Sequence, residues 1–332
     1  MSYALRRAGQ AAIVLIAAFT ATFILLQLLP GDAILIKYEN PELGLTAEQI
    51  DAIRVAYGAD ASWWEQYWAS LSGYAQGDFG YSTQYGTAVL QLVGEALPST
   101  AALAVLGFAL AALLAVAIAF LSTLSPFAWL RHALQALPGV FVAVPVFWLG
   151  ILLIQVFSFG LGWVPIVGAD PVAGLILPVV TLAVPISAPL AQILVRSIDE
   201  VQLQPFVTVV RAKGASPWWV LWRSVARNAM LPTLTIAGVL FGELIGGAVV
   251  TETVFGRAGI GRVTEQAVAN QDIPVLQGIV VLAALTFVAV NLAVDLLYPV
   301  LDPRLRRTGS RAARPARAAV APGAALTEGA SR

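Results

Sequence analysis

Long apolar stretches divided by short polar ones set the pattern of this chain. Crossing a ~30 Å hydrocarbon core takes about 20 apolar residues. Six stretches qualify, at about Gly9–Leu29, Pro98–Leu124, Leu134–Phe159, Leu175–Val195, Thr233–Thr253 and Val275–Val300. The pattern predicts an all-α polytopic membrane protein with six transmembrane helices. Arg6 and Arg7 precede the first span, which ends in Leu29-Pro30-Gly31-Asp32 without a small-residue cleavage site, so it is expected to remain uncleaved. Pro178, Pro185 and Pro189 in the fourth span predict a bent helix.

Between the first two spans the character changes. Residues 31–95 carry acids from Asp32 to Glu95 against only Lys37 and Arg54. They read as a folded extracytoplasmic segment, with helices over 47–57 and 62–72 and a turn at Gly77-Asp78-Phe79-Gly80. Trp63, Trp64, Tyr67 and Trp68 suit a lipid interface. The chain thus divides into a start and first span (1–30), this segment (31–95), a five-helix core (96–300) and a basic tail (301–332) rich in Ala, Arg, Pro and Gly, expected to be disordered.

The longest polar, basic interruption is the stretch Gln204 to Pro232, centred on Arg211-Ala212-Lys213-Gly214, with the cytoplasmic loop itself at 199–228. Pro205 suits a first helical position and Gly214 the place just past a helix end. Ser216 then offers an N-cap with Pro217 after it. Two short helices are predicted, the second with Trp218, Leu221, Trp222 and Val225 on one apolar stripe and Arg223 and Arg227 on another face. Arg211-Ala212-Lys213-Gly214-Ala215-Ser216 forms the elbow between them. An amphipathic element lying on an anionic membrane would account for the basic residues and tryptophans. It would not account for the helix–glycine–helix shape, which suits docking to a partner outside the bilayer.

Composition narrows the function. Charged residues make up 11% of the chain, against about 25% in soluble domains. There is no cysteine, hence no disulfide, thiol nucleophile or thiolate metal site, and the single His132 allows no His–His metal pair. Lys37 and Lys213 are followed by Tyr38 and Gly214, so neither belongs to a P-loop, and no cofactor motif is present. No basic face extends far enough for nucleic acid. With both termini in the cytoplasm, only Lys37, Arg54, Arg257 and Arg262 of the 19 Lys and Arg lie outside, as the positive-inside bias requires. Arg131 and His132 then mark a cytoplasmic turn, while Gly160–Gly174 and Thr251–Asp272 are outward loops.

Acids at membrane depth must pair or face water, because insertion costs about 2.5–3.5 kcal/mol each. Glu243, flanked by Gly242, Gly246 and Gly247, is expected to face a pathway or the bundle interior, with Gln155 a second candidate pathway residue. Asp295 lies near the boundary and reads as structural. An intramembrane protease would need a histidine base or paired aspartates, and neither is supplied. A channel or proton-coupled carrier would leave the elbow without a purpose.

Motifs along nearly the whole chain resemble the dipeptide/oligopeptide/nickel family of ABC-importer permeases. They are Leu29-Pro30-Gly31-Asp32, Gly77-Asp78-Phe79-Gly80, Leu97-Pro98-Ser99-Thr100, Leu161-Gly162-Trp163-Val164-Pro165 and Arg211-Ala212-Lys213-Gly214 with Trp222-Arg223, Arg227-Asn228 and Leu231-Pro232. Beyond these come Gly247–Phe255, Gly259-Ile260-Gly261-Arg262, Asn291–Tyr298 and Leu301-Asp302-Pro303-Arg304. The chain departs from the family at Thr208-Val209-Val210, Pro205-Phe206 and Ser224.

The resemblance implies a type I ABC-importer permease fold in a bacterial or archaeal cytoplasmic membrane. It implies that Arg211–Ser216 couples to two separate ATP-binding subunits, that a second homologous permease completes a heterodimer, and that an extracytoplasmic solute-binding protein delivers substrate. Peptides are the implied substrates, with nickel, glutathione or an oligosaccharide as alternatives on the same framework.

Overall fold

The computed structural model describes residues 3–28, 45–56, 61–166, 168, 170 and 172–301. The Leu29–Asp32 motif, Lys37 and the tail from Asp302 lie outside them. Helix α1 (Tyr3–Gln27) is followed by α2 (Ala47–Ala56), α3 (Trp63–Gln76) and the long α4 (Val89–Leu124). Then come α5 (Ala128–Ala143), α6 (Val146–Leu153) with a π-helical continuation Ile154–Gly160, and α7 (Ala173–Gln202). Helix α8 (Pro205–Ala212) leads to α9 (Pro217–Trp219), a π-helical stretch Val220–Val225, and α10 (Ala226–Val254). Helices α11 (Ile260–Ala269) and α12 (Ile273–Leu301) close the described chain. Among the described residues five helices are long and apolar enough to span a membrane, and the bent pair α5–α6 makes a sixth if counted as one.

Helix α4 extends further than its apolar stretch suggests. It begins at Val89, continues through Pro98, and its 36 residues reach about 54 Å at 1.5 Å per residue. Its buried face repeats every three or four residues, through Thr100, Leu103, Ala104, Gly107, Ala111, Ala115, Ile118 and Ala119. Most of these are small. They let the backbone approach α7, which answers with Leu182, Ala183, Ser187, Ala188, Ala191, Leu194 and Ile198. At Gly107 a Cβ would stand 3.0 Å from the Leu182 side chain, so this crossing has little room for a larger residue.

The third apolar stretch is not one straight span. It bends by 102° between α5 and α6. Val144 there is extended (φ −90°, ψ 118°), the conformation favoured before Pro145 because the proline ring crowds the helical one. Helix α5 packs on α4 and α7, while α6 turns away to pack on α7 and α10. Arg131 and His132, expected in a turn, lie on α5, and the turn is at Ser125–Phe127. Helix α7, by contrast, continues unbroken through its three prolines.

Helix α3 begins with a capping box: Ser62 accepts from the Glu65 N–H, and the Glu65 carboxylate accepts from the Ser62 N–H (2.9 Å) and hydroxyl (2.8 Å). Those donors hold the Glu65 carboxyl below its usual range. Gly77 ends the helix at φ 84°, a left-handed position that glycine occupies at little cost. The helix lies against α1 through Tyr67, which bonds Thr20 (2.8 Å) and meets Phe19 and Phe23 edge-on, leaving Trp63, Trp64 and Trp68 exposed.

Leu103 is completely buried with Leu182, Leu244 and Ala248 where α4, α7 and α10 meet. We predict that Leu103→Ala costs about 2–5 kcal/mol, measured as a lowered midpoint of thermal denaturation in detergent. An unchanged midpoint would show that this contact does not hold the three helices together.

Candidate functional site: the elbow and the far end of the bundle

Helix α8 starts as its sequence predicts, with Gln204 extended (φ −70°, ψ 142°) and Pro205 at the first helical position. Val207 on its inner face is fully buried against Ala119 and Phe120 of α4 and Leu194 and Ile198 of α7, with Val210 packed beside it. On the outer face Phe206, Val209 and Lys213 are exposed, and Arg211 is exposed at the side next to Val207. The helix ends when the Gly214 N–H donates to Arg211 O (3.0 Å) at φ 83°. Nothing lies within 4 Å of where a Gly214 Cβ would be. Conformation, not space, therefore calls for glycine here.

Ser216 caps the next helix, accepting from the Trp219 N–H at 3.3 Å. This helix does not remain separate, as the sequence had suggested. Through the wider turn Val220–Val225 it continues directly into α10. The extra backbone of that turn carries Val220, Leu221 and Val225 into the core under the elbow. The predicted four-residue stripe consequently splits. Leu221 and Val225 are buried, whereas Trp218 and Trp222 are exposed, stacked at 6.3 Å and edge-on to Phe120. Arg211 donates to Gln202 Oε1 (2.9 Å), tying the end of α8 to the end of α7, while Arg223 and Arg227 point outward. A cleft of about 300 Å³ lies between this tie and the end of α4.

A second polar constellation occupies the opposite end of the same helices. Glu252, in the last turn of α10, is 0% exposed. Its Oε1 accepts from the Thr100 hydroxyl of α4 (2.6 Å) and its Oε2 from the Gly261 N–H (2.7 Å). The Ile260 N–H in turn donates to the Thr100 oxygen (2.8 Å). Arg257, in the connection between α10 and α11, donates to Ser99 on α4 (3.2 Å) and to the Gly174 carbonyl at the start of α7 (3.1 Å). A Cβ at Gly259 would overlap the Glu252 carboxylate at 2.2 Å, and one at Gly261 would stand 2.5 Å from Val249 Cα. Both glycines are needed for backbone to close over the carboxylate.

A third tie pins the loop before α4. Asp272, 1% exposed, accepts from the Ser82 hydroxyl and from the Thr83 (3.2 Å) and Gln84 (3.1 Å) N–H groups. Tyr81 and Tyr85 of this loop are exposed.

The family model for binding-protein-dependent transport system inner membrane components matches residues 111–307, and the model of its N-terminal part matches residues 1–104. The chain belongs to this family. A Brucella abortus (strain 2308) protein, named "Putative peptide transport system permease protein", is 36% identical over 311 residues, covering 91% of this chain and 98% of its own. The glutathione transport system permease protein GsiC of Escherichia coli (strain K12) is 34% identical over 284 residues, covering 86% and 92%. Among solved structures, a chain of the MetNI methionine ABC transporter, described as inward facing, superposes with a TM-score of 0.55 at 17% identity, covering 64% of this chain and 97% of that one. The fold is that of an ABC-transporter permease, and the chain is a multi-pass inner-membrane transport component.

Within the permease, the elbow residues Arg211 to Gly214 and Ser216 are exposed, while Ala215 between them packs against the core. Glu243 is exposed on α10, not inside the bundle, and Gln155 is exposed on the π-helical stretch after α6. The Asp295 side chain lies outside the described set. Glu252 was expected in an outward loop and is instead helical and buried. The signal that could have marked it is the pair Gly259 and Gly261 shortly after an acid, where missing side chains leave room for a carboxylate.

Asp272→Ala removes the acceptor used by the Ser82 hydroxyl and by the Thr83 and Gln84 N–H groups; losing the acceptor of a buried donor such as the Ser82 hydroxyl costs about 1–3 kcal/mol. We predict that chymotrypsin cleaves the purified protein after Tyr81 or Tyr85 at least tenfold faster in D272A, with D272N in between. Equal cleavage rates would show that Asp272 does not hold this loop.

Proposed function

We propose that this chain is the permease subunit of an ATP-driven importer of di- and oligopeptides. The observation that carries this reading is the shape of the elbow. Val207 and Val210 anchor α8 to the bundle, while Phe206, Val209 and Lys213 form an exposed apolar and basic face. A bilayer surface could take the charges, but the sharp reversal at Gly214 presents the face as a knob suited to a protein groove.

In this reading Arg211–Ser216 docks on a separate ATP-hydrolysing subunit, and two such elbows drawn together tip the spans between inward and outward access. The elbow and both termini are cytoplasmic, in keeping with the distribution of Lys and Arg. A second, homologous permease completes the pathway, which Glu243 and Gln155 line from their exposed positions. A solute-binding protein delivers substrate to the opposite side, where residues 31–95 receive it.

Peptide as the substrate class rests on the relatives at 36% and 34% identity, one named for peptide and one for glutathione, itself a tripeptide. Glutathione is the second reading on the same observation.

Two sets of variants test the proposal. Phe206→Asp with Val209→Asp changes only exposed side chains of α8, so the bundle is expected to remain folded while copurification of the ATPase is lost. Gly214→Val forces a β-branched residue to φ 83°, at a cost of about 1–2 kcal/mol, and is expected to lower uptake of a labelled di- or tripeptide at least tenfold. Labelled glutathione and nickel are run in parallel. Normal uptake in Gly214→Val would remove the elbow from coupling, and loss of glutathione uptake alone would select the second reading.

A further inference from the structure

One continuous run of helix joins the elbow to the far end of the permease. From Pro217 the chain passes through Val220–Val225 into α10 and reaches Glu252 within its last turn. A displacement applied to the elbow is therefore applied to the helix that carries Glu252.

What Glu252 holds is specific. Its carboxylate binds the Thr100 hydroxyl of α4 and the Gly261 N–H at the start of α11. The Thr100 oxygen is also the acceptor for the Ile260 N–H, so one hydroxyl both donates to α10 and receives from the α10–α11 turn. Arg257 adds α4 and α7 through Ser99 and the Gly174 carbonyl. A fully buried carboxylate with directed donors keeps its partners in place, because moving either donor away leaves one carboxylate oxygen without its hydrogen bond where water does not reach.

We propose, on the reading that this chain is an ATP-coupled permease, that Glu252 and Thr100 are positioning residues that make the far ends of α4 and α10 and the α10–α11 turn move as one body when the elbow moves. The knot is the output end of the stroke. It sets whether ATP-driven motion of the elbow reaches the mouth opposite, and it contributes nothing to ATPase docking.

Thr100 separates this from a purely structural role. Serine retains both hydrogen bonds, whereas valine keeps the shape and loses both. The measurements are made on the complex as it copurifies from cells expressing the full chain, with uptake of a radiolabelled alanine dipeptide measured in the same cells.

In Thr100→Val the complex is expected to assemble and to hydrolyse ATP within twofold of the natural protein. Its maximal uptake rate is expected to fall at least tenfold with the half-saturating dipeptide concentration unchanged. Thr100→Ser is expected to restore uptake to within twofold. Gly261→Ala, whose Cβ would stand 2.5 Å from Val249 Cα and 2.8 Å from Glu252 Oε2, is expected to behave like Thr100→Val.

Normal uptake in Thr100→Val overturns the proposal. So does failure of Thr100→Val to assemble, which would make the knot a folding element. If no ATPase copurifies even with the natural chain, the coupling reading fails and this inference with it. Normal ATP-driven uptake by the natural chain together with normal uptake by Thr100→Val overturns this inference alone.

Discussion

Close packing of α4 on α7 is the contact from which the rest of the bundle takes its geometry. In lipid there is little hydrophobic gain in bringing two helices together, so association depends on how closely backbones can approach. The series Ala104, Gly107, Ala111 and Ala115 on α4 meets Ala183, Ser187, Ala188 and Ala191 on α7 and allows that approach. Once these two helices are fixed, α10 packs against both around Leu103, Leu182 and Leu244. The elbow core and the Glu252 knot are built on opposite ends of the same three helices.

The two ends are built from different materials. Under the elbow the contacts are apolar: Val207, Val220, Leu221 and Val225 against Ala119, Phe120, Leu194 and Ile198. Such a surface tolerates small sliding and still transmits force. At the far end the contacts are directional hydrogen bonds to a buried carboxylate, backed by glycines too close to accept a side chain. That arrangement resists sliding, because a displacement that parts the buried carboxylate from either donor breaks a directed hydrogen bond in the interior. A soft joint at one end and a rigid one at the other suit a helix that passes a displacement along its length.

Much of the elbow was legible because its signals are local. Pro205, Gly214, Ser216 and Pro217 each act through their own backbone, and each stands where its chemistry placed it. The third span shows where local reading fails. Pro178, Pro185 and Pro189 leave α7 continuous, and Pro138 leaves α5 continuous, yet at Val144-Pro145 the chain turns by 102°. Proline permits a break in every case; what decides is whether the two halves have different surfaces to pack on, as α5 and α6 do. The stripe Trp218, Leu221, Trp222, Val225 failed for a related reason. It assumed 3.6 residues per turn, and a π-helical turn rotates the tryptophans out of register with the buried pair.

The sequence by itself determined the class of the protein, the number and order of its apolar spans, the position of the elbow and the glycine on which it turns. These follow from hydrophobic length and from residues that constrain their own backbone. Only the tertiary structure decided that Glu252 is buried and Glu243 exposed, that the elbow runs without interruption into α10, and that Thr100 and Gly261, 161 residues apart, share one carboxylate. A charge is affordable in the interior only where donors converge on it. That convergence depends on which helices lie side by side, which no local pattern along the chain records.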